Sequence, residues 1–188
     1  MQDSDRRRTL RSVLVEESAI AIPDELERAF RAHHGLVFRT AYRITGNAAD
    51  AEDVLQTVFL RLARRGVNAD AVEDQESYLR RAAINAALDV MRWRQANPTI
   101  ELPDLPAEMA QSDASDVMPE LRQALGRALA QLKPRPAEIF ALRFLEGFSN
   151  PQIAQMLGIS QVLVAVIVHR TRQQLRKELV PYFHATND

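Results

Sequence analysis

Two helical patterns that meet at Gly158 are the feature that most constrains the fold of this chain. They lie in the segment 138–176, which reads EIFALRFLEGFSNPQIAQMLGISQVLVAVIVHRTRQQLR. Asn150 is a capping residue and Pro151 suits a first helical position, so we expect the front helix to begin there and to end at Gly158. Ser160 can cap the next helix, whose inward positions would be Val164, Val168, Thr171 and Leu175. Two helices joined by a short glycine turn form the helix-turn-helix pattern, whose second helix typically enters a DNA major groove.

One local pattern opposes a helix in this segment. Residues 162–168 read VLVAVIV, and such a β-branched run in isolation predicts a buried strand. Ser160 before the run and the helix-forming sequence HRTRQQLRKEL after it fit a single helix of about four turns. We therefore predict a helix here.

Length and composition favour an all-α protein. The 188 residues are 46% apolar, which is enough for one domain or two small ones, and helix formers dominate. The chain has no cysteine, which excludes disulfides and thiolate metal sites and favours a cytoplasmic protein. No apolar run approaches the roughly 20 residues that a membrane span needs, and no secretory signal is recognisable.

The chain is expected to divide into four segments. Residues 1–22 are predicted to be a flexible extension and residues 23–96 a first helical unit. Residues 97–119 contain four prolines and several acids but no basic residue, which indicates a flexible acidic linker. Residues 120–182 are predicted to form a second helical unit that contains the helix-turn-helix.

Charge is distributed unevenly although the net charge is only −1. Basic residues gather near positions 80–94 and 170–177, on either side of the acidic strip. Such clusters can bind a polyanion locally, although solvated helix faces produce similar patterns.

The predicted helix over 76–95 carries a polar face. Its apolar stripe is expected at Leu79, Ala83, Ala86, Val90 and Trp93. The opposite face would present Arg81, Asn85, Asp89 and Arg92, either as a solvated face or as a nucleic-acid surface. Arginine binds phosphate and guanine, asparagine can read adenine, and tryptophan can stack on an unpaired base.

The sequence offers little for catalysis. Its four histidines lack metal-ligand spacing, and no glycine-rich phosphate loop or nucleophile motif is recognisable. We therefore expect neither an enzyme nor a bound cofactor or metal.

Three blocks of the sequence resemble the sigma-70 family, specifically its short extracytoplasmic-function (group IV) sigma factors. AYRITGNAADAEDVLQTVFLRLARR is similar to the first conserved block of that family, and ESYLRRAAINAALDVMRWRQ is similar to its promoter-melting block. LKPRPAEIFALRFLEGFSNPQIAQMLGIS is similar to the start of its C-terminal block. The resemblance covers about residues 26–179, keeps the blocks in order, and implies a factor that directs RNA polymerase to promoters.

The resemblance also implies which residues bind which partner. Docking on core RNA polymerase would use Asp50, Glu52, Asp53, Gln56 and Phe59. The minus-ten promoter element would be bound and partly unstacked by Tyr78, Arg80, Arg81, Asn85, Asp89, Arg92, Trp93 and Arg94. The minus-thirty-five element would be bound by Ser149, Gln152, Ser160, Gln161, Leu163, Ala165, Ile167, His169, Arg170 and Arg172. An anti-sigma factor would be a further partner, and all nucleotide chemistry would belong to the polymerase.

The helix-turn-helix departs from the family where its second helix would face the groove. Polar or basic residues are usual there, but this chain has Leu163, Ala165, Val166 and Ile167, and Gln152 replaces a usual glutamate. Apolar side chains can touch thymine methyl groups but cannot make bidentate base contacts worth about 1–3 kcal/mol each. Readout through DNA shape, burial against another protein, and loss of DNA recognition all remain open.

Two other functions remain open as well. One is a helix-turn-helix regulator that binds duplex DNA without RNA polymerase. The other is a sigma-like interaction module that sequesters a protein partner through its apolar C-terminal face.

Overall fold

The computed structural model describes residues 24–65, 75–97 and 119–184, and these ranges are helical throughout apart from short turns. The helices are α1 (Asp24–Thr45), α2 (Ala48–Arg65), α3 (Gln75–Ala96), α4 (Pro119–Gln131), α5 (Pro134–Phe140), α6 (Asn150–Leu157) and α7 (Gln161–His184). A π-helical turn, Ala141–Leu145, continues α5. The all-α prediction is confirmed. The predicted extension 1–22 lies outside the described residues, as does the predicted linker apart from its end residues 97 and 119.

Helices α1–α3, the first unit, pack around a shared apolar core. Gly46 adopts φ +66°, a left-handed conformation that glycine tolerates at no steric cost, so the chain can reverse between α1 and α2. Asn47 then caps α2, because its Oδ1 accepts a hydrogen bond from the backbone N–H of Asp50 over 3.0 Å. The core of this unit is formed chiefly by Val37, Ile44, Val54, Leu79, Ile84 and Leu88, all fully buried.

Helices α4–α7, the second unit, contain the helix-turn-helix at α6 and α7. The chain bends by 111° between these helices, within the usual range for the motif. The predicted cap at Asn150 is wrong, because α6 begins with Asn150 and its cap is Ser149. Gln152 Oε1 accepts hydrogen bonds from the Ser149 backbone N–H (2.8 Å) and Oγ–H (2.7 Å), which holds the start of α6. Gly158 ends the helix at φ +62°, as predicted.

Helix α7 forms in spite of its β-branched run. Ser160 Oγ accepts a hydrogen bond from the backbone N–H of Leu163 over 3.2 Å, which caps the helix as predicted. Val164, Thr171 and Leu175 are buried, at the spacing of one helix face. Burial of this face outweighs the modest helix penalty of valine and isoleucine.

The two units pack against each other, and one apolar cluster runs through both. Helix α4 crosses α1 so closely that a Cβ on Gly126 would lie 2.3 Å from the carbonyl oxygen of Ile44. Any larger residue at 126 must push the two backbones apart. Ala130, four residues later on the same face of α4, is also small and buried.

We predict that Gly158→Ala destabilises the protein by about 1–2 kcal/mol, because alanine strains at positive φ while its methyl group would meet open space. Urea unfolding followed by circular dichroism measures this change. Gly35→Ala within α1 is the matched control. It should stabilise the protein by about 0.5–1 kcal/mol, since its Cβ would approach only the flexible end of Arg39. Equal effects of the two substitutions would contradict the prediction.

Candidate nucleic-acid and polymerase interfaces

The outer surface of α2 is acidic and polar. Glu52, Asp53 and Gln56 are exposed there and are free to meet a partner. The other two predicted docking residues lie inside the fold. Asp50 is buried, and its Oδ1 forms an ion pair with Arg94 Nη2 over 2.8 Å. Phe59 is 7% exposed and packs edge-on against the ring of Phe30 in α1. These two residues therefore support the helix rather than form its outer surface.

A cleft of about 520 Å³ lies between α2 and α3. The structure brings the predicted minus-ten residues Tyr78, Arg81 and Asn85 together along one wall. Arg61 and Arg64 line the opposite side, and the sequence interpretation missed them because their position near the end of α2 also suits the helix dipole. Their spacing of three residues is the available signal, since it places both on one helix face. The cleft combines positive charge, an aromatic ring and an amide.

The second unit covers part of the polar face of α3. Arg81 Nε donates to Glu138 Oε1 over 2.8 Å, and Asn85 Nδ2 donates to the same oxygen over 3.4 Å. Arg80 forms an ion pair with Glu146, which also accepts from Arg43 Nη1 over 3.1 Å. The interpretation of this face as solvated is therefore wrong for Arg81 and Asn85.

Backbone carbonyls of the second unit accept further hydrogen bonds from α3. Arg92 Nε donates to the Ala130 carbonyl (3.2 Å) near the end of α4, where the helix dipole is negative. Arg81 Nη1 donates to the Met156 carbonyl (3.1 Å) near the end of α6. Asp89 is exposed and accepts from Arg92 Nη1 over 2.9 Å. Four predicted minus-ten residues thus contact the second unit: Arg80, Arg81, Asn85 and Arg92.

Arg80 is held as a cation at this interface. Burial by itself lowers the pKa of its guanidinium, but the hydrogen bond to Glu76 and the charge of Glu146 outweigh burial and raise the pKa above its ordinary value. Its guanidinium carbon also lies 5.7 Å from the ring centroid of Phe148. Arg80 therefore stays charged, and Glu76 and Glu146 neutralise that charge.

Trp93 lies outside the core, contrary to the predicted apolar stripe of α3. The stripe is buried at Leu79, Ala83 and Ala86, but Trp93 is 65% exposed. Its indole lines a second cleft of about 290 Å³ between α2 and α3, beside Asp53 and Arg94. Drift of the stripe is only about 40° over the two heptads from Leu79 to Trp93, so Trp93 stays close to the stripe; it is exposed because it lies near the end of α3, where it lines the cleft with α2. An exposed indole is free to stack on a ligand.

The outer face of α7 is largely apolar. Val162 is 73% exposed and Leu163 is 45% exposed, and a shallow depression of about 600 Å³ is lined by Gln161, Val162, Ala165, Val166, His169 and Arg170. Ile167 packs partly against the core, so it turns away from this face. Of the apolar positions expected to face the groove, Leu163, Ala165 and Val166 are exposed and Ile167 is partly buried, while Val162 also lies on the exposed face. Arg170 and Arg172 are exposed, while Ser149 and Gln152 bond to each other.

The described ranges also bear on two other functions, metal binding and membrane insertion. Among these residues, no group of three or more His, Cys, Asp or Glu side chains could hold a metal ion. No single helix there is long and apolar enough to cross a bilayer. Helices α6 and α7 reach the necessary length and apolar content only when they are counted together, and the chain bends sharply between them.

Two family models match the chain, in the order in which the two units occur. Sigma-70 region 2 matches residues 29–97, and Sigma-70, region 4 matches residues 122–175. The chain is 33% identical over 161 residues to the RNA polymerase sigma-E factor of Streptomyces coelicolor, covering 83% of this chain and 86% of that protein. This chain belongs to the sigma-70 family of RNA polymerase sigma factors, within its extracytoplasmic-function group.

Other relatives agree with this assignment. The extracytoplasmic-function sigma factor SigE of Mycolicibacterium smegmatis is 34% identical over 91% of this chain, which spans 66% of that relative's length. SigL of Mycobacterium tuberculosis is 31% identical over a region that covers 86% of this chain and 93% of SigL. Among solved structures, the sigma factor RpoE of Bartonella quintana, crystallised with the anti-sigma factor NepR, has a TM-score of 0.51 at 19% identity. The aligned region covers 81% of this chain and 95% of the Bartonella chain, and the similarity supports the fold.

We predict that Asp50→Asn lowers the free energy of unfolding by about 1–3 kcal/mol, because it leaves Arg94 without its buried carboxylate partner. Asp53→Asn, on the exposed surface of the same helix, should change it by less than about 0.5 kcal/mol. Thermal and urea unfolding of both variants measure the difference. If both variants are as stable as the parent protein, the buried pair does not support the helix.

Proposed function

We propose that this sigma factor binds core RNA polymerase through α2, holds an unpaired minus-ten strand in the cleft between α2 and α3, and contacts the minus-thirty-five element through α7. The observation that carries the proposal is the cleft of about 520 Å³, where Arg61, Arg64 and Arg81 surround Tyr78 and Asn85. Neither a regulator that binds duplex DNA alone nor a protein-sequestering module requires such a cleft in the first unit. Both alternatives are therefore less favoured.

The polymerase contact is assigned to Glu52, Asp53 and Gln56. These residues are exposed on one helix and are neighbours of the buried ion pair of Asp50 and Arg94, which joins α2 to α3. Acidic residues at the rim of an interface chiefly increase the rate of association with a basic partner, and salt reduces this effect. A basic or polar surface on the polymerase is the matching partner.

The minus-ten contact combines stacking with phosphate binding. Extruding a base from duplex DNA costs a few kcal/mol, and stacking one base on an aromatic ring recovers about 1–3 kcal/mol. Tyr78 offers the ring inside the cleft, while Arg61 and Arg64 offer phosphate contacts at its other wall. Exposed Trp93 offers a second stacking surface farther along α3.

The minus-thirty-five contact is assigned to α7 with limited base reading. Gln161 is the polar side chain that begins the exposed face, and Arg170 and Arg172 are suited to phosphates. The apolar residues between them can touch thymine methyl groups. Shape and backbone contacts would then supply most of the selectivity upstream.

The remaining partners follow the family. We assign the protein to the cytoplasm, where RNA polymerase and promoters are, and infer regulation by an anti-sigma factor. RpoE of Bartonella quintana was crystallised with such a factor. The chain supplies binding and strand separation, and the polymerase supplies the nucleotide chemistry.

Reconstitution with core RNA polymerase tests this function. The protein is added to the core enzyme with genomic DNA, and transcription start sites are mapped. We expect a discrete set of start sites that share minus-ten and minus-thirty-five sequences. Failure to bind core enzyme, or start sites identical to those of core enzyme alone, would rule the proposal out.

We predict that Tyr78→Ala reduces open-complex formation about five- to 150-fold, which corresponds to the loss of about 1–3 kcal/mol of stacking on one base. Tyr78→Phe is the matched control and should stay near the parent rate, because it retains the ring. Fluorescence of a base analogue in the minus-ten strand reports strand opening. Equal rates for the alanine and phenylalanine variants would remove Tyr78 from the site.

A further inference from the structure

The first two turns of α7 expose apolar side chains side by side. Val162 is 73% exposed and Val166, one turn later, is 39% exposed, whereas Val164 between them is fully buried. Val162, Ala165 and Val166 line the shallow depression on this helix, and we refer to these three residues as the α7 apolar face. Contiguous exposed apolar residues, unlike scattered ones, mark a binding surface. The α7 apolar face therefore calls for an occupant.

The surroundings of the α7 apolar face are basic. The sequence from 149 to 177 contains no aspartate or glutamate. Arg170, Arg172 and Arg176 are exposed along the following turns of the same helix, where they suit phosphate contacts. Duplex DNA presents phosphates on both sides of an uncharged major groove, which matches an apolar centre with basic flanks. Charge complementarity therefore favours duplex DNA over a protein as the occupant.

Position in the helix-turn-helix also favours DNA. The residues near the start of the second helix of this motif contact base edges. Gln161 is the first residue of α7, and it lines the same depression as Val162 and Val166. A glutamine can form paired hydrogen bonds with N6 and N7 of adenine, and thymine adds a C5-methyl group to the major groove. An amide beside two valines therefore matches the two halves of A·T pairs.

We propose that α7 selects A·T pairs in the minus-thirty-five element, with Val162 and Val166 packed against thymine C5-methyl groups and Gln161 bound to an adjacent adenine. This inference deepens the proposed function and rests on it, because it assumes that α7 enters the major groove. Burial of one methyl group increases affinity about fourfold. The contact adds base selectivity to the readout through shape and backbone proposed above.

Replacement of thymine by deoxyuridine is the sharpest test, because it removes the methyl group and keeps every base pair. The probes are two fluorescein-labelled hairpin duplexes, one of alternating dA and dT and one of alternating dA and dU. The alternating sequence avoids the narrow groove of A-tracts. Fluorescence anisotropy with the full chain at low salt, where phosphate contacts are strongest, measures both Kd values. We expect the Kd for the uracil duplex to be about four- to fifteenfold higher, which corresponds to one or two methyl groups.

Substitutions in the α7 apolar face locate the contact. Val162→Ser and Val166→Ser should each lower the ratio of the two Kd values toward one, because serine offers the methyl group no apolar surface. Val180→Ser is the matched control, since it makes the same change at a 41% exposed position of the same helix, outside the depression. Its ratio should equal that of the parent protein. Arg170→Gln should weaken binding of both duplexes about equally, because a phosphate contact is independent of sequence.

Three outcomes would overturn the inference. A ratio of one in the parent protein would leave a protein partner as the occupant of the α7 apolar face. A ratio above one that survives both Val162→Ser and Val166→Ser would show that the methyl groups act through DNA shape. Failure of the parent protein to bind either duplex would remove α7 from DNA altogether.

The measurements need no polymerase, so their failure can be told apart from that of the proposed function. Normal start sites in the reconstitution together with a ratio of one would refute only the methyl contact. The expected ratios without start sites would refute the polymerase function and leave the DNA contact of α7 standing.

Discussion

The pairing of buried glutamates with arginines across the two units is the interaction on which this arrangement depends. Glu138 and Glu146 would be costly to bury alone, and so would the guanidinium of Arg80. Together they fix the register in which the second unit lies on α3. The close crossing at Gly126 then allows the small apolar residues around it to form one core through both units.

This pairing divides the functional surfaces into covered and open ones. The outer surface of α2 and the cleft between α2 and α3 remain accessible in this arrangement. The second unit covers part of the polar face of α3, where Arg80 and Arg81 meet its carboxylates. The polymerase contact proposed for Glu52, Asp53 and Gln56 therefore lies on a surface that the second unit leaves open.

Most helices could be predicted because their signals are local. Gly46, Gly158 and Ser160 mark helix ends through their own backbone preferences and hydrogen bonds. The cap at Asn150 was misassigned because Ser149 beside it is an equally good cap, and the choice between neighbours depends on the reach of the Gln152 side chain. Trp93 was misassigned because its spacing places it near the apolar stripe, whereas the packing at the end of α3 leaves it in the cleft with α2. The β-branched run of α7 was predicted correctly only from its flanks.

The sequence alone determined the all-α class, the helix-turn-helix and the membership in the sigma-70 family, since motif order and helix punctuation are properties of neighbouring residues. Tertiary structure alone decided which of the candidate binding residues a partner can reach. Asp50 and Phe59 are inside, Arg61 and Arg64 enter the cleft, and Arg81 faces Glu138 rather than solvent. The reason is physical: an arginine on a helix face looks the same in sequence whether water, DNA or a carboxylate 57 positions away neutralises it. Only the packing of the two units selects the carboxylate.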